Sequence, residues 1–106
     1  MALIHYVTFK VNKPEEVPTA ERLFQEYYSQ IQREILEVQS VDIMKNCVNR
    51  ASNFDIMIKM KLADEDTLHA YLENTTHRRL MEKTDGLAKM VGGFDCLEND
   101  RETDCE

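Results

Sequence analysis

The sequence predicts a single α+β domain of order β-α-β-β-α-β: a four-stranded antiparallel sheet with its helices on one face. Three observations carry this. Segments of two-residue alternation stand at the start, the middle and the end of the chain. A long run of helical period follows the first of them, and a shorter, interrupted run precedes the last. At 106 residues the chain can build one hydrophobic core but not two.

The first strand spans Ala2 to Val11. Leu3, His5, Val7 and Phe9 share one face, and Ile4, Tyr6, Thr8 and Lys10 share the other. Both faces are largely apolar or aromatic, so each calls for cover. Two helical regions in so short a chain can cover only one sheet face, and the second therefore needs a partner. Asn12 to Pro18 reads as a loop and helix start, with two prolines and two glutamates suited to a helix N-terminus. From Pro18 to Leu36, Leu23, Phe24, Tyr27, Ile31 and Ile35 recur at helical spacing, which predicts an amphipathic helix lying on the sheet.

Val38 to Val48 reads as a second strand and Asn49 to Ser52 as a polar turn. Asn53 to Leu62 reads as a third strand, with Phe54, Ile56, Ile58, Met60 and Leu62 on one face and Met57 on the other. Asp64 can cap the next helix, in which Leu68, Tyr71 and Leu72 are expected to point inward. Asn74-Thr75-Thr76 breaks that helix and can cap another that begins near His77. Met90 to Leu97 closes the sheet. Its Gly92-Gly93 pair weakens the strand and lets a neighbour approach the backbone. This order of elements is the ferredoxin-like arrangement.

Charge and cysteine content narrow the function classes. The net charge of −7 argues against nucleic acid, whose phosphates demand clustered Lys and Arg. Residues 98–106 hold five acids and one Arg, so the expected division is a folded domain over 1–97 and an acidic, disordered tail over 98–106. No apolar run approaches the roughly 20 residues of a membrane span. Three cysteines without close pairing, Cys47, Cys96 and Cys105, speak against a disulfide framework or a zinc site. The expectation is a cytoplasmic protein without metal or cofactor.

His5, Tyr27, the Tyr71-to-His77 segment and the Phe94-Asp95 pair fall in an order and spacing that resembles the Dabb family, the stress-responsive dimeric α/β-barrel domains. The similarity runs from about Leu3 to Leu97. It implies that two four-stranded sheets face each other across a homodimer, which would cover the second face of the first strand. Some members are ring-closing polyketide cyclases, and the positions matching their polar pocket are His5, Tyr27, Tyr71 and His77, with Asp95 beside the catalytic histidine. The chain departs from the family pattern at Asn74 and Thr75, where His-Pro is common, and at Gly93, which replaces a bulky wall residue.

The residues themselves suggest how such a site would work. An imidazole moves protons near neutrality, and His77 close to a helix N-terminus should be held neutral. Asp95 can fix its tautomer, and Tyr27 and Tyr71 can donate to a carbonyl oxygen. The expected walls are Val7, Phe9, Phe24, Ile58, Asn74, Val91 and Gly93. Three readings stand: a catalytic set acting on a carbonyl-rich apolar substrate, a small apolar ligand pocket without catalysis, and a purely structural dimer whose polar groups are satisfied core residues. The dimer is expected to form through Ile4, Tyr6, Thr8 and Met57.

Overall fold

The computed structural model describes residues 1–98. It runs β1 (Leu3–Val11), a 3-10 turn (Pro14–Glu16), α1 (Val17–Glu34), β2 (Val38–Lys45), β3 (Ile56–Leu62), α2 (Glu65–Glu73), α3 (Thr75–Thr84) and β4 (Ala88–Leu97). The strands form one sheet in the order β2-β3-β1-β4, with every neighbouring pair antiparallel. Residues 99–106, most of the expected acidic tail, lie outside the described residues. Glu98, placed in that tail by the sequence, is tied to the sheet. Its N–H donates to the Ala2 carbonyl at 2.8 Å and its carboxylate meets Lys61 at 2.9 Å.

The core lies between the helices and one sheet face. Leu3, Val7 and Phe9 of β1 stand opposite Leu62, Ile58 and Ile56 of β3, and all six are buried. Onto them α1 lowers Ala20, Phe24, Tyr28 and Ile31, spaced three and four residues apart. The Phe9 and Phe24 rings meet at 4.7 Å between centroids, a tilted contact that adds to the simple burial of area. Leu23 and Tyr27, expected on the buried face, flank it half-buried.

Caps delimit the two short helices as their sequences predict. Asp64 Oδ1 accepts from the Thr67 N–H at 2.9 Å and opens α2. Asn74 Oδ1 accepts from the His77 N–H at 2.8 Å and opens α3, so the expected helix break is a change of helix at one residue. Gly86 turns the chain from α3 into β4 with φ of 79°, the left-handed region that a glycine enters without penalty.

Several local expectations change. β2 ends at Lys45 because Asn46 and Asn53 satisfy the connecting loop in place of a ladder. Asn46 Nδ2 donates to the Val48 carbonyl at 2.8 Å, and Asn53 Nδ2 donates to Asn46 Oδ1 at 3.0 Å. Phe54 therefore precedes β3, and its side chain is 45% exposed instead of sharing the face of Ile56. Leu72 is exposed as well. Thr67 and Tyr71, one helical turn apart, take the inward positions of α2. In β4 the register slips against β1, so that Thr8 faces Gly92 while Phe9 faces Met90. Val91 is the extra residue of this bulge.

The packing predicts a sharp contrast between two substitutions. Phe24→Ala should lower the unfolding free energy in urea by about 3–5 kcal/mol, since it empties a fully buried ring position. Leu36→Ala, at an exposed site, should change it by less than about 0.5 kcal/mol. Comparable losses from the two would contradict this placement of the core.

Candidate functional site

A chain of polar side chains crosses the end of the helix–sheet interface. His5 reaches it by strand alternation from the helix-covered face of β1, and its side chain is only 13% exposed. Asp95 stands directly opposite His5 in the β1–β4 register, and its Oδ1 accepts a hydrogen bond from His5 Nδ1 at 2.6 Å. With Nδ1 so committed, neutral His5 keeps Nε2 as a bare acceptor. The sequence assigns Asp95 to His77; cross-strand pairing gives it to His5 instead.

Tyr71 is the hub. Its ring lies 5.8 Å from His5, edge-on, and 4.2 Å from His77. Its hydroxyl meets that of Tyr28 at 2.6 Å in a fully buried hydrogen bond. Burial raises the Tyr71 pKa well above the ordinary range, with the neighbouring Tyr28 adding to the effect. Burial likewise pushes the Tyr28 hydroxyl up to about 12, against an opposing hydrogen bond from Tyr71. Both phenols stay protonated. Only one proton is needed to join them, which leaves the second as a donor to a third group.

Tyr28 is the member of this cluster that the sequence does not predict. Adjacent tyrosines on α1 compete for the interior, and a register with Ala20, Phe24 and Ile31 selects Tyr28. That 20-24-28-31 spacing is the signal that could have found it. Tyr27 instead faces a surface cleft of about 310 Å³ with Gln30, Arg33, Glu34, Thr76 and Arg79.

His77 sits half-buried at the start of α3, and its Nδ1 is buried without a hydrogen-bond partner among the described residues. Its pKa falls below 6.5, chiefly through burial and slightly through His5, against a raising effect of the Leu72 carbonyl. The expected neutral form is thus reached mainly by desolvation.

The expected walls divide. Val7, Phe9, Phe24 and Ile58 are core residues packed against one another, so they fill the interface instead of lining an open cavity in it. Asn74 caps α3 behind His77. Gly93 lies opposite Val7, next to Asp95, on an exposed stretch of β4. Val91, displaced by the bulge, leaves the face it was expected to share with Gly93 and Asp95.

The larger concavities lie elsewhere. One of about 500 Å³ sits on the sheet face away from the helices, lined by Tyr6, Thr8, Phe54, Met57, Gly92, Gly93, Phe94 and Cys96. The Tyr6 and Phe94 rings pack at 6.1 Å there, and Met57 and Phe94 are exposed. Ile4 and Thr8 on this face are already buried within one chain, and Thr8 Oγ1 donates to the Gly92 carbonyl at 3.2 Å. No helix among the described residues is long and apolar enough to cross a membrane.

The state of His77 predicts a pH signature. A lowered folded-state pKa contributes stability that is fully present above 6.5 and is lost as pH falls through the folded value. From about pH 7.5 to about pH 5, the thermal midpoint of the wild type should therefore fall relative to that of His77→Gln. A gap that moves in favour of the wild type on acidification would mean that His77 gains a partner when charged.

Comparison with known proteins gives the geometry its context. The model of the Dabb family, the stress responsive A/B barrel domain, matches residues 3–96. No curated protein sequence matches significantly. Among solved structures, a dimeric protein of unknown function and ferredoxin-like fold from Bacteroides fragilis superposes with a TM-score of 0.76 at 16% identity, over 90% of this chain and 94% of that one. HapK from Hahella chejuensis gives 0.77 at 14% identity, over 92% of each chain. A dimeric ferredoxin-like protein from Thermobifida fusca gives 0.69 at 18% identity, over 91% of this chain and 88% of that one. At such identities these structures speak for the fold alone, but the family model spans nearly every element described above. The chain belongs to the Dabb family of stress responsive A/B barrel domains.

Proposed function

We propose that this protein works as a homodimer whose sheets pack face to face, and that each subunit binds a small, largely apolar carbonyl compound beside His5 and His77. One observation carries the ligand reading. His5, Tyr28, Tyr71 and His77 converge in an otherwise apolar interior with Asp95 at its exposed edge, and one buried imidazole nitrogen has no hydrogen-bond partner among the described residues. Burying polar groups is unfavourable unless each is satisfied, and a ligand that accepts or donates at His77 Nδ1 would complete the set. Asp95 and the side-chain-free Gly93 are exposed on β4, and a ligand would approach from that side. The dimer reading is supported by the apolar face of Tyr6, Met57 and Phe94, and by the dimeric state given for the similar bacterial proteins.

A second reading, acid–base catalysis, draws on the 2.6 Å contact between His5 and Asp95. In a ring-closing aldol step, His5 Nε2 would take a proton from the carbon beside one carbonyl. That carbon would then attack a second carbonyl. A tyrosine hydroxyl would donate its proton to the resulting alkoxide, and the histidine would return the first to the phenolate. The raised pKa of both buried tyrosines keeps them protonated at neutral pH, so that a hydroxyl hydrogen is in place to meet the developing alkoxide.

Alkyl β-diketones are suitable probes, with binding followed by NMR. Tyr71→Phe and His77→Gln should each weaken binding about tenfold while the amide spectrum stays folded, the effect of one lost hydrogen bond of about 1.4 kcal/mol. Wild-type affinity in both folded variants would remove the ligand reading. If the site is catalytic, His5→Gln should abolish turnover and keep most of the binding. Turnover that survives His5→Gln would remove the acid–base reading.

The dimer has its own test. Tyr6→Asp places a charge on the apolar face and should shift the sedimentation coefficient from dimer to monomer at micromolar concentration. A wild-type chain that already sediments as a monomer would end the dimer reading.

A further inference from the structure

Glu34, the last residue of α1, gathers more hydrogen bonds than an exposed carboxylate ordinarily holds. Its Oε1 accepts from Asn74 Nδ2 at 3.1 Å and from Thr76 Oγ1 at 2.7 Å. Its Oε2 accepts from Gln30 Nε2 at 2.9 Å and lies 2.9 Å from the same threonine hydroxyl. These bonds, from Gln30 first and then Thr76 and Asn74, hold the carboxyl below the usual carboxylate range. It is therefore a fixed anion at neutral pH.

What it holds is the junction between α2 and α3. Asn74 is at once the last cap of α2, through its N–H to the Tyr71 carbonyl at 3.1 Å, and the first cap of α3, through Oδ1. An amide can present either end to the helix, and only the oxygen end can accept the His77 N–H. Glu34, an acceptor only, binds the nitrogen end and so turns the oxygen toward His77. Asn74 is three residues from Tyr71 and three from His77, whose rings meet at 4.2 Å. The same helix α1 grips the other side of this junction through Tyr28 and Tyr71.

We propose that Glu34 is a positioning residue for the site: by orienting the Asn74 amide it sets the His77 ring against Tyr71 and thereby the direction in which His77 meets a ligand. The ligand part of this statement rests on the binding site proposed above; the positioning of His77 does not.

The test reads the His77 ring directly, without ligand. The groups around it are the Leu72 carbonyl and Tyr71 from α2, His5 from β1 with Asp95 of β4 behind it, and Tyr28 of α1 beyond Tyr71; of these, the Leu72 carbonyl and His5 act on its titration. In isotope-labelled full-length protein, NMR pH titration should show Glu34→Ala raising the His77 midpoint by roughly half a pH unit toward 6.5, as the loosened ring gains water. His5 should titrate as in the wild type. Glu34→Gln, which retains one acceptor oxygen and the side-chain shape, should recover part of the shift and guards against an unfolded alanine variant. Arg22→Ala, an exposed change on the same helix away from Glu34, should leave both histidines unmoved. An unchanged His77 midpoint in both folded Glu34 variants, or equal shifts in His5 and His77, overturns the proposal. A selective His77 shift supports it, and does so even where no β-diketone binds, an outcome that would count only against the ligand reading.

Discussion

Two phenol groups buried between α1 and α2 set the terms for the rest of this structure. Neither Tyr28 nor Tyr71 can reach water, and each would be left unsatisfied without the other. Their mutual hydrogen bond fixes the distance between the two helices, and through Tyr71 it fixes the rings of His5 and His77 as well. The apolar core and the polar cluster are thus continuous. Phe9 packs on Phe24, Phe24 on Tyr28, Tyr28 on Tyr71, and Tyr71 on both histidines. A displacement at either end of this series would have to pass through tightly packed rings.

The sheet divides the chemistry. On its helix side, β1 and β3 contribute mostly apolar side chains to a filled core, and the polar groups gather around His5, opposite Asp95 of β4, and Tyr71. On the other side the same strands present Tyr6, Met57 and Phe94, apolar and incompletely covered. Alternation along β1 assigns His5 to one set and Tyr6 to the other. A one-residue slip of register would exchange them. The fold therefore links the ligand reading to the dimer reading, since the strand that carries His5 inward also carries the proposed interface outward.

Electrostatics in the cluster follow from burial more than from net charge. The chain is acidic overall, yet His77 stands below its ordinary pKa, because desolvation of the imidazolium outweighs the Leu72 carbonyl that opposes it. Glu34, by contrast, is exposed and owes its lowered pKa to hydrogen bonds. The two groups lie at opposite ends of one capped junction, one held neutral by removal from water and the other held anionic by its donors.

Much of this architecture was legible in the residues themselves. Alternation marked β1 and the core face of β3, helical period marked α1, and Asp64 and the stretch from Asn74 to Thr76 announced the caps, because these are local consequences of backbone geometry. His5, Tyr71 and His77 could be placed on inward-facing positions by the same periodicities. What local pattern could not supply was the choice between near-equivalents. Tyr27 and Tyr28 are neighbours with the same chemistry, and only packing against Phe24 and Tyr71 decided that Tyr28 goes inside. Asp95 could have served either histidine until the pairing of β1 with β4 set it opposite His5. The bulge at Val91, the outward turn of Phe54 and the grip of Glu34 on Asn74 likewise depend on contacts between segments far apart in the chain. Sequence by itself determined the order of elements and the faces they present, since those depend on residues a few positions apart. Tertiary structure alone decided which polar groups meet, since a hydrogen bond is sensitive to tenths of an ångström that no local period specifies.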